Sequence, residues 1–328
     1  MIVDAHAHVI PPEIQREANP AEGWRPRMVA DPQTGVRQPQ SGDGPVTNRN
    51  VLYEFGDADA MLAALNGMGV EGALLSINVG FFRYSAPPDD CLASSRAQND
   101  GIARIVREHP RHFAGLGTVP LQDTALAVGE LERLMKLGLR GIEVGTNVGG
   151  VYLGDRRYRP LWEACASLGA LVFVHPTGFG HLREHYMSNV VGNPMDTAIA
   201  AGHLVLSGTM EALPNLRVLL AHGGGVAPDL RGRWDHGARV RPEIGLPRLP
   251  SEYLKLFYYD TITHDPQLLR ELVAFVGADH VLLGSDYPFD MGTYPPQKLV
   301  EAAKLGAEAE AAILGGNAAR LVGMEGWR

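Results

Sequence analysis

Four histidines and one aspartate have the types and spacing to bind a metal ion and carry out chemistry with it. They are His6, His8, His175, His222 and Asp286. Residues two apart on a strand face the same side, so both imidazoles of the His-x-His pair can point in one direction. Imidazole nitrogens and carboxylate oxygens suit Zn²⁺ or a similar divalent ion, and catalytic zinc sites keep a coordination position open. The set therefore predicts a catalytic metal site, whereas one of these histidines alone would more often be an ordinary hydrogen-bonded residue.

The elements that must position these residues are short β-rich runs, which alternate with amphipathic stretches of helical length. We predict eight strands, at residues 2–6, 70–77, 113–119, 139–144, 170–175, 216–222, 256–261 and 280–284. Most are continuous apolar runs, which are typical of strands buried on both faces of a parallel sheet. Eight strand-then-helix units match an α/β fold of the (β/α)₈ TIM-barrel type better than a doubly wound sheet. Active sites of such barrels lie at the carboxyl ends of the strands, where these five residues stand.

The helical stretches have clear ends. Five of them are predicted at residues 58–68, 124–137, 158–168, 196–213 and 266–276. Glycines follow several of the predicted helices, at Gly69, Gly138, Gly169 and Gly277. Because glycine adopts positive φ at little cost, we expect these four to end helices.

The chain length fits one large domain with an insertion. At roughly 150 residues per domain, 328 residues would suggest about two domains, but α/β barrels often run longer as one. We therefore predict a single metal-dependent (β/α)₈ domain over residues 1–328. Residues 9–56, rich in proline and glycine, would form a cover inserted between the first strand and the first helix. A connection this long is usually functional, and a disordered surface loop is the alternative.

Composition excludes several classes of protein. The net charge of −8 argues against a nucleic-acid or anionic-membrane partner. No apolar run approaches the roughly 18 residues that a membrane span needs. The two cysteines, Cys91 and Cys165, are too few for a disulfide framework and suggest a reducing compartment. Since the N-terminus lacks the basic start and apolar stretch of a signal peptide, we expect a cytoplasmic protein that acts on a small molecule.

Motifs at four of the predicted strand ends resemble those of the amidohydrolase superfamily. More narrowly, they resemble its branch of 2-amino-3-carboxymuconate-6-semialdehyde decarboxylase and related aromatic-acid decarboxylases. The motifs are His6-Ala7-His8, His175-Pro176, His222-Gly223-Gly224-Gly225 and Gly284-Ser285-Asp286-Tyr287-Pro288-Phe289. The resemblance implies that His6, His8, His175 and Asp286 bind one Zn²⁺, or another divalent ion such as Mn²⁺. It implies further that His222 is the acid/base beside the metal, with Asp286 catalytic as well as a ligand.

Two arginines extend the resemblance. Arg49 and Arg233 are similar in position to arginines that hold substrate carboxylates in the decarboxylase, the second reaching in from a neighbouring subunit. The resemblance thus implies a homodimer or higher homo-oligomer and a small carboxylate substrate, since guanidinium binds carboxylate in a bidentate manner. Either arginine could instead be a solvated surface residue.

The sequence departs from the branch at two places. Thr177-Gly178 stands where the branch carries Trp-Asp, which predicts a smaller pocket wall. Glu143 stands in the fourth strand where the branch carries glutamine, and it could be a metal ligand or a buried group with a barrel partner. Since no lysine stands there, we expect no carbamylated lysine between two metals.

These features predict a metal-dependent, non-oxidative decarboxylase of an aromatic or muconate-type carboxylic acid. His222 would pass a proton to the substrate carbon, because histidine imidazoles titrate near neutral pH. Two alternatives stay open. The same site could serve a hydrolase or hydratase acting on a lactone, an amide or an activated alkene, or the protein could be a binding module that has lost catalysis.

Overall fold

Eight parallel strands form the centre of the fold in the computed structural model, which describes residues 1–30, 37–41, 44–45, 57–179, 182 and 184–324. The strands are β1 (Val3–Val9), β2 (Gly72–Ile77), β3 (Phe113–Gly115), β4 (Gly141–Gly145), β5 (Leu171–His175), β6 (Arg217–Leu220), β7 (Tyr258–Asp260) and β8 (Val281–Leu282). They pair in the orders β1-β2-β3 and β8-β7-β6-β5-β4. Parallel bridges from Gly117 to Ile142 and from Ala7 to Tyr287 join the two sheets at both edges. The eight predicted strands and the TIM-barrel fold are confirmed.

Helices connect the strands around the outside. They are α1 (Ala58–Gly67), α2 (Pro88–Glu108), α3 (Thr124–Lys136), α4 (Arg159–Leu168), α5 (Asn193–Leu206), α6 (Thr209–Ala212), α7 (Ala227–Val240), α8 (Pro250–Leu254), α9 (Pro266–Val276), α10 (Gln297–Ala303), α11 (Ala307–Ala311) and α12 (Asn317–Val322). The four glycines predicted to end helices all have positive φ, between 64° and 94°. The single helix predicted at 196–213 is wrong, because Gly208 with φ 76° separates α5 from α6.

Alternation along the strands sorts their side chains between two apolar layers. In β5, Leu171 and Phe173 pack inside the barrel, while Val172 and Val174 pack against the helices. His175 continues the inward series and therefore faces the barrel axis. In β1 a register shift between Asp4 and Ala7 interrupts the alternation. This bulge is what turns the His-x-His pair inward, since such a shift re-aims the residues that follow it.

The segment predicted as a cover is described only in part. A small antiparallel sheet links Arg27–Ala30 to Arg37–Ser41 and Gly44–Pro45. Residues 31–36, 42–43 and 46–56 lie outside the described residues, so the cover remains a prediction. Within the described part of the chain, no helix is both long enough and apolar enough to cross a membrane.

Candidate active site

The barrel brings together the four residues predicted as metal ligands. His6 and His8 come from the end of β1, His175 from the end of β5, and Asp286 from the loop after β8. One ligand atom from each of the four residues lies within 4.8 Å of the others, and all four residues are buried. The three imidazole rings have centroids 5.0–5.2 Å apart. This is the spacing that a single bound ion would require of the predicted set.

Hydrogen bonds orient each of the three rings. The Nδ1 atom of His6 donates a hydrogen bond to Asp260 Oδ2 at 2.7 Å. The Nδ1 atom of His8 donates to the carbonyl of Ile77 at 2.7 Å. The Nδ1 atom of His175 donates to the carbonyl of Pro176 at 2.9 Å. A carbonyl or carboxylate oxygen accepts a hydrogen bond, so the proton of each neutral ring lies on Nδ1. Each Nε2 lone pair is thereby left for a metal ion.

The atoms that converge are acceptors and fit a cation. Nε2 of His6 lies 3.0 Å from Nε2 of His8, and Asp286 Oδ1 lies 3.2–3.3 Å from both. Nε2 of His175 is buried and has no hydrogen-bond partner among the described residues. Nitrogen lone pairs and a carboxylate in one buried cluster repel one another unless a positive charge stands between them. The donor set therefore fits a divalent metal ion.

The protonation tendencies of these groups agree with that fit. Burial lowers the pKa of His175 well below its usual value, which keeps the ring neutral. Burial would raise the pKa of Asp286, but the neighbouring imidazoles, His6 foremost, hold it well below its usual range. Burial would lower the pKa of His6, yet Asp286 and Asp260 raise it to about 10. The carboxylates that attract a proton to this cluster also attract a metal cation.

Two carboxylates that the sequence analysis missed support the ligands from behind. Asp260 is the last residue of β7, and its carboxylate accepts a hydrogen bond from the His6 ring. It also accepts hydrogen bonds from the backbone N–H groups of His222 and Gly223, both at 2.8 Å. Asp4 accepts the backbone N–H groups of His6 and Ser285 at 3.0 Å and the Ser285 hydroxyl. Asp4 therefore ties β1 to the loop that carries Asp286.

His222 lies beside the cluster and is partly exposed to solvent. Its Nε2 lies 3.3 Å from Oδ2 of Asp286, the oxygen opposite the one that faces His6 and His8. Both His222 and Asp286 adopt positive φ, 56° and 62°, which costs roughly 1–2 kcal/mol for a residue with a side chain. Strain of this kind is concentrated at functional sites, where the surrounding structure holds it in place.

Glu143 lies behind His8 and outside the four-residue cluster. One of its carboxylate oxygens is 3.8 Å from His8 Nδ1, the nitrogen that faces away from the cluster. The side chain is fully buried, and within the described part of the chain neither oxygen has a hydrogen-bond partner. Burial raises the pKa of Glu143 to about 7. Glu143 therefore lies next to the proposed ligand His8 and is not one of the four residues that converge.

A cavity of about 360 Å³ leads away from His222 and Asp286. One of its walls is formed by α7 and α9, which contribute Arg231 and Phe275. The Arg231 guanidinium stacks on Phe275, 4.9 Å from the ring centre. Arg233 is exposed on α7, two residues beyond Arg231, and is not brought to the cluster. Arg49 lies outside the described residues.

Comparison with known proteins identifies the family. The family described as "Amidohydrolase" matches residues 3–324. The chain belongs to the amidohydrolase family. It is 35% identical over 334 residues to 2-amino-3-carboxymuconate-6-semialdehyde decarboxylase of Dictyostelium discoideum, an alignment that covers 98% of this chain and 92% of the relative. The predicted family and its decarboxylase branch are confirmed.

Solved structures share the fold over nearly the whole chain. The 5-carboxyvanillate decarboxylase from Sphingomonas paucimobilis superposes with a TM-score of 0.83 at 24% identity, over 98% of both chains. A dihydroxybenzoic acid decarboxylase from Polaromonas sp. JS666 superposes with a TM-score of 0.77 at 22% identity, over 98% of this chain and 97% of that one. That structure contains bound manganese and the inhibitor 2-nitroresorcinol.

Proposed function

We propose that this amidohydrolase-family enzyme is a metal-dependent, non-oxidative decarboxylase of an aromatic or muconate-type carboxylic acid. In this proposal His6, His8, His175 and Asp286 bind the metal, and His222 transfers the proton. The observation that carries the proposal is the set of three Nε2 atoms and one carboxylate, with a partly exposed histidine at the mouth of a cavity. The named decarboxylase relative supports the reaction type.

The metal would be Zn²⁺ or Mn²⁺. Three imidazole nitrogens with one carboxylate suit zinc, while the manganese in the Polaromonas structure keeps that ion as the other candidate. When bound, the ion supplies positive charge that orients the substrate and stabilises the electrons left behind by CO₂. Asp260 and the carbonyls of Ile77 and Pro176 hold the ligand rings in the tautomer that this requires.

His222 is positioned to move the proton. Its Nε2 atom faces Asp286 and its ring lines the cavity, so a protonated His222 can donate to the substrate carbon that carries the carboxylate. The ring or diene supplies a π electron pair to form the new carbon–hydrogen bond, and His222 is left neutral. Breaking of the carbon–carboxylate bond returns that pair, and the products are CO₂ and a substrate carbon bearing the new hydrogen. No change of oxidation state of the protein is needed.

In the proposal, Arg49 and Arg233 bind the substrate carboxylates, with Arg233 acting on the site of a partner subunit. Arg233 is exposed on α7 and next to Trp234, which lines an apolar groove between α5 and α7. Met195 and Leu206, two exposed apolar side chains of α5, line the same groove. Exposed apolar patches of this kind mark interaction surfaces, which supports a homodimer.

The proposal also places the enzyme in the cytoplasm, with a small carboxylate as its ligand and neither nucleic acid nor membrane as a partner. Both cysteines, Cys91 and Cys165, are free and buried, as expected for a protein in a reducing compartment. The net charge of −8 opposes binding to polyanions.

The test is to measure bound metal by elemental analysis and CO₂ release against a panel of aryl and muconic acids. We expect about one metal ion per subunit, and CO₂ from at least one acid that carries a hydroxyl or amino group beside the carboxylate. Turnover of lactones or amides without CO₂ would favour a hydrolase. Tight binding of acids with no turnover would favour a binding module.

A further inference from the structure

The hydrogen-bond acceptors of the three proposed ligand histidines differ in how they are fixed in position. His6 donates directly to the carboxylate of Asp260. His8 donates to Ile77, whose carbonyl belongs to β2 and is held by the sheet. His175 donates to the carbonyl of Pro176, which lies beyond the end of β5 and outside the strand pairings of the described residues. Something else must therefore fix the acceptor of His175.

A buried carboxylate holds the other end of the same peptide group. The Pro176 carbonyl and the Thr177 N–H belong to one planar unit. The N–H of Thr177 donates to Oδ2 of Asp196 at 3.1 Å, while the carbonyl accepts Nδ1 of His175 at 2.9 Å. Asp196 lies in the first turn of α5 and is fully buried. One peptide therefore connects a carboxylate to the ring of His175.

We propose that Asp196 is a positioning residue for the metal site, acting on His175 through the 176–177 peptide. Hydrogen bonds in a chain polarise one another, so the charge of Asp196 makes the Pro176 carbonyl a stronger acceptor. The stronger acceptor holds the His175 proton on Nδ1 and leaves Nε2 free. Asp260 holds the His6 proton on Nδ1 by a direct hydrogen bond, and Asp196 holds the His175 proton on Nδ1 through the intervening peptide group. The inference rests on the proposed role of His175 as a ligand.

Asp196 also makes contacts that would give it a purely structural role. Thr146 donates its hydroxyl to Asp196 Oδ2 at 2.5 Å, and the Tyr152 hydroxyl donates to Oδ1 at 2.9 Å. These bonds connect α5 to the segment that follows β4. A structural role and a positioning role therefore predict different results for variants that remove different members of the network.

The first experiment measures Zn²⁺ affinity by chelator competition and the stability of the metal-free protein by urea unfolding. Loss of an outer partner of a metal ligand typically weakens metal binding about 10- to 100-fold, and we expect this for Asp196→Asn. Tyr152→Phe, which keeps the carboxylate and the Thr177 bond, should lower stability and leave Zn²⁺ affinity at the wild-type value. Glu130→Gln is the matched control for neutralising a buried carboxylate. Glu130 is buried on α3 and accepts a hydrogen bond from Asn99 on α2.

A second pair of variants isolates the peptide. Thr177→Pro removes the N–H but keeps Asp196, whereas Thr177→Val keeps the N–H and removes only the hydroxyl. We expect weakened Zn²⁺ binding for the first and wild-type binding for the second. This pair decides the question even if Asp196→Asn does not fold. In ¹⁵N spectra of the metal-free protein, the His175 ring should lose its Nδ1–H tautomer preference in Thr177→Pro.

The inference is overturned if Asp196→Asn and Thr177→Pro bind Zn²⁺ as tightly as Tyr152→Phe does. His175→Ala separates this failure from a failure of the ligand assignment. If His175→Ala loses Zn²⁺ binding and the other two variants keep it, only the role of Asp196 is wrong. If His175→Ala itself keeps wild-type affinity, the proposed metal site is wrong.

Discussion

The proposed metal-ligand cluster and the region proposed to bind the substrate carboxylates are built differently. The four proposed ligands stand at strand ends, are buried, and are held from behind by hydrogen bonds. On the substrate side, Arg231 and Phe275 come from helices and Arg233 is exposed. In the proposed function, the barrel sheet therefore carries the groups that do the chemistry, and the helices and loops around its mouth carry those that select the substrate. Substitutions in the first region should act on metal and turnover together, and those in the second on substrate binding.

The largest effect is expected in the metal-ligand cluster. His175→Ala should lose bound metal and, with it, activity by about 10³-fold or more, because the ion supplies several kcal/mol of charge stabilisation. Elemental analysis and CO₂ release on the same sample check this. Wild-type protein stripped by a chelator and reloaded with Zn²⁺ is the control and should recover. Full turnover by metal-free protein would contradict the account.

His222, which lies beside the metal-ligand cluster and is not one of its four members, separates proton transfer from metal binding. His222→Ala should lower kcat by about 10²- to 10⁴-fold, the usual contribution of general acid–base catalysis, with metal content unchanged. His280 is a suitable control, since it stacks on Tyr258 and bonds the Phe257 carbonyl, away from the cluster. His280→Ala should keep turnover. Loss of metal from His222→Ala would make His222 a ligand instead.

The sequence predicts which four side chains meet at one end of the barrel, because they lie in recognisable local motifs at or just after strand ends. Their supporting acids could not be found in this way. His6 and Asp260 are 254 residues apart and meet only when the barrel closes. Asp196 looks like an ordinary acid in the first turn of a helix, and its link to His175 depends on the orientation of one peptide. The bulge in β1 could not be predicted from the sequence either. Strand alternation nevertheless predicts correctly that both histidines of the His-x-His pair face the same side.

Arg233 tests whether the substrate region extends across two subunits. A twofold contact uses the same patch on both partners, so each subunit would lend its arginine to the other. When inactive His222→Ala and inactive Arg233→Ala subunits are dissociated, mixed and reassociated, half the dimers are mixed and have one working site in two. About a quarter of wild-type activity should return. No recovery despite subunit exchange shown by mass spectrometry would mean that Arg233 acts within its own chain or not at all.

The smallest effect is expected at the cavity wall formed by α7 and α9. Arg231 is exposed, and charge interactions of exposed groups are worth roughly 0.2–1 kcal/mol. Arg231→Gln should therefore raise KM for a dicarboxylate substrate by at most about fivefold, with kcat and metal content unchanged. Arg239→Gln, an exposed arginine later on α7, provides the matched control. A fall in kcat or metal content for Arg231→Gln would erase the division between the two regions.

Decarboxylation at the metal site is tested most directly by turnover in D₂O, with CO₂ and the product followed together. Metal-loaded wild-type protein should release one CO₂ per product molecule, and each product should carry one deuterium at the carbon that lost the carboxylate. Metal-stripped protein should yield neither, and His222→Ala should yield both at a rate lower by about 10²- to 10⁴-fold. Products that have gained the elements of water, with no CO₂ released, would contradict the account.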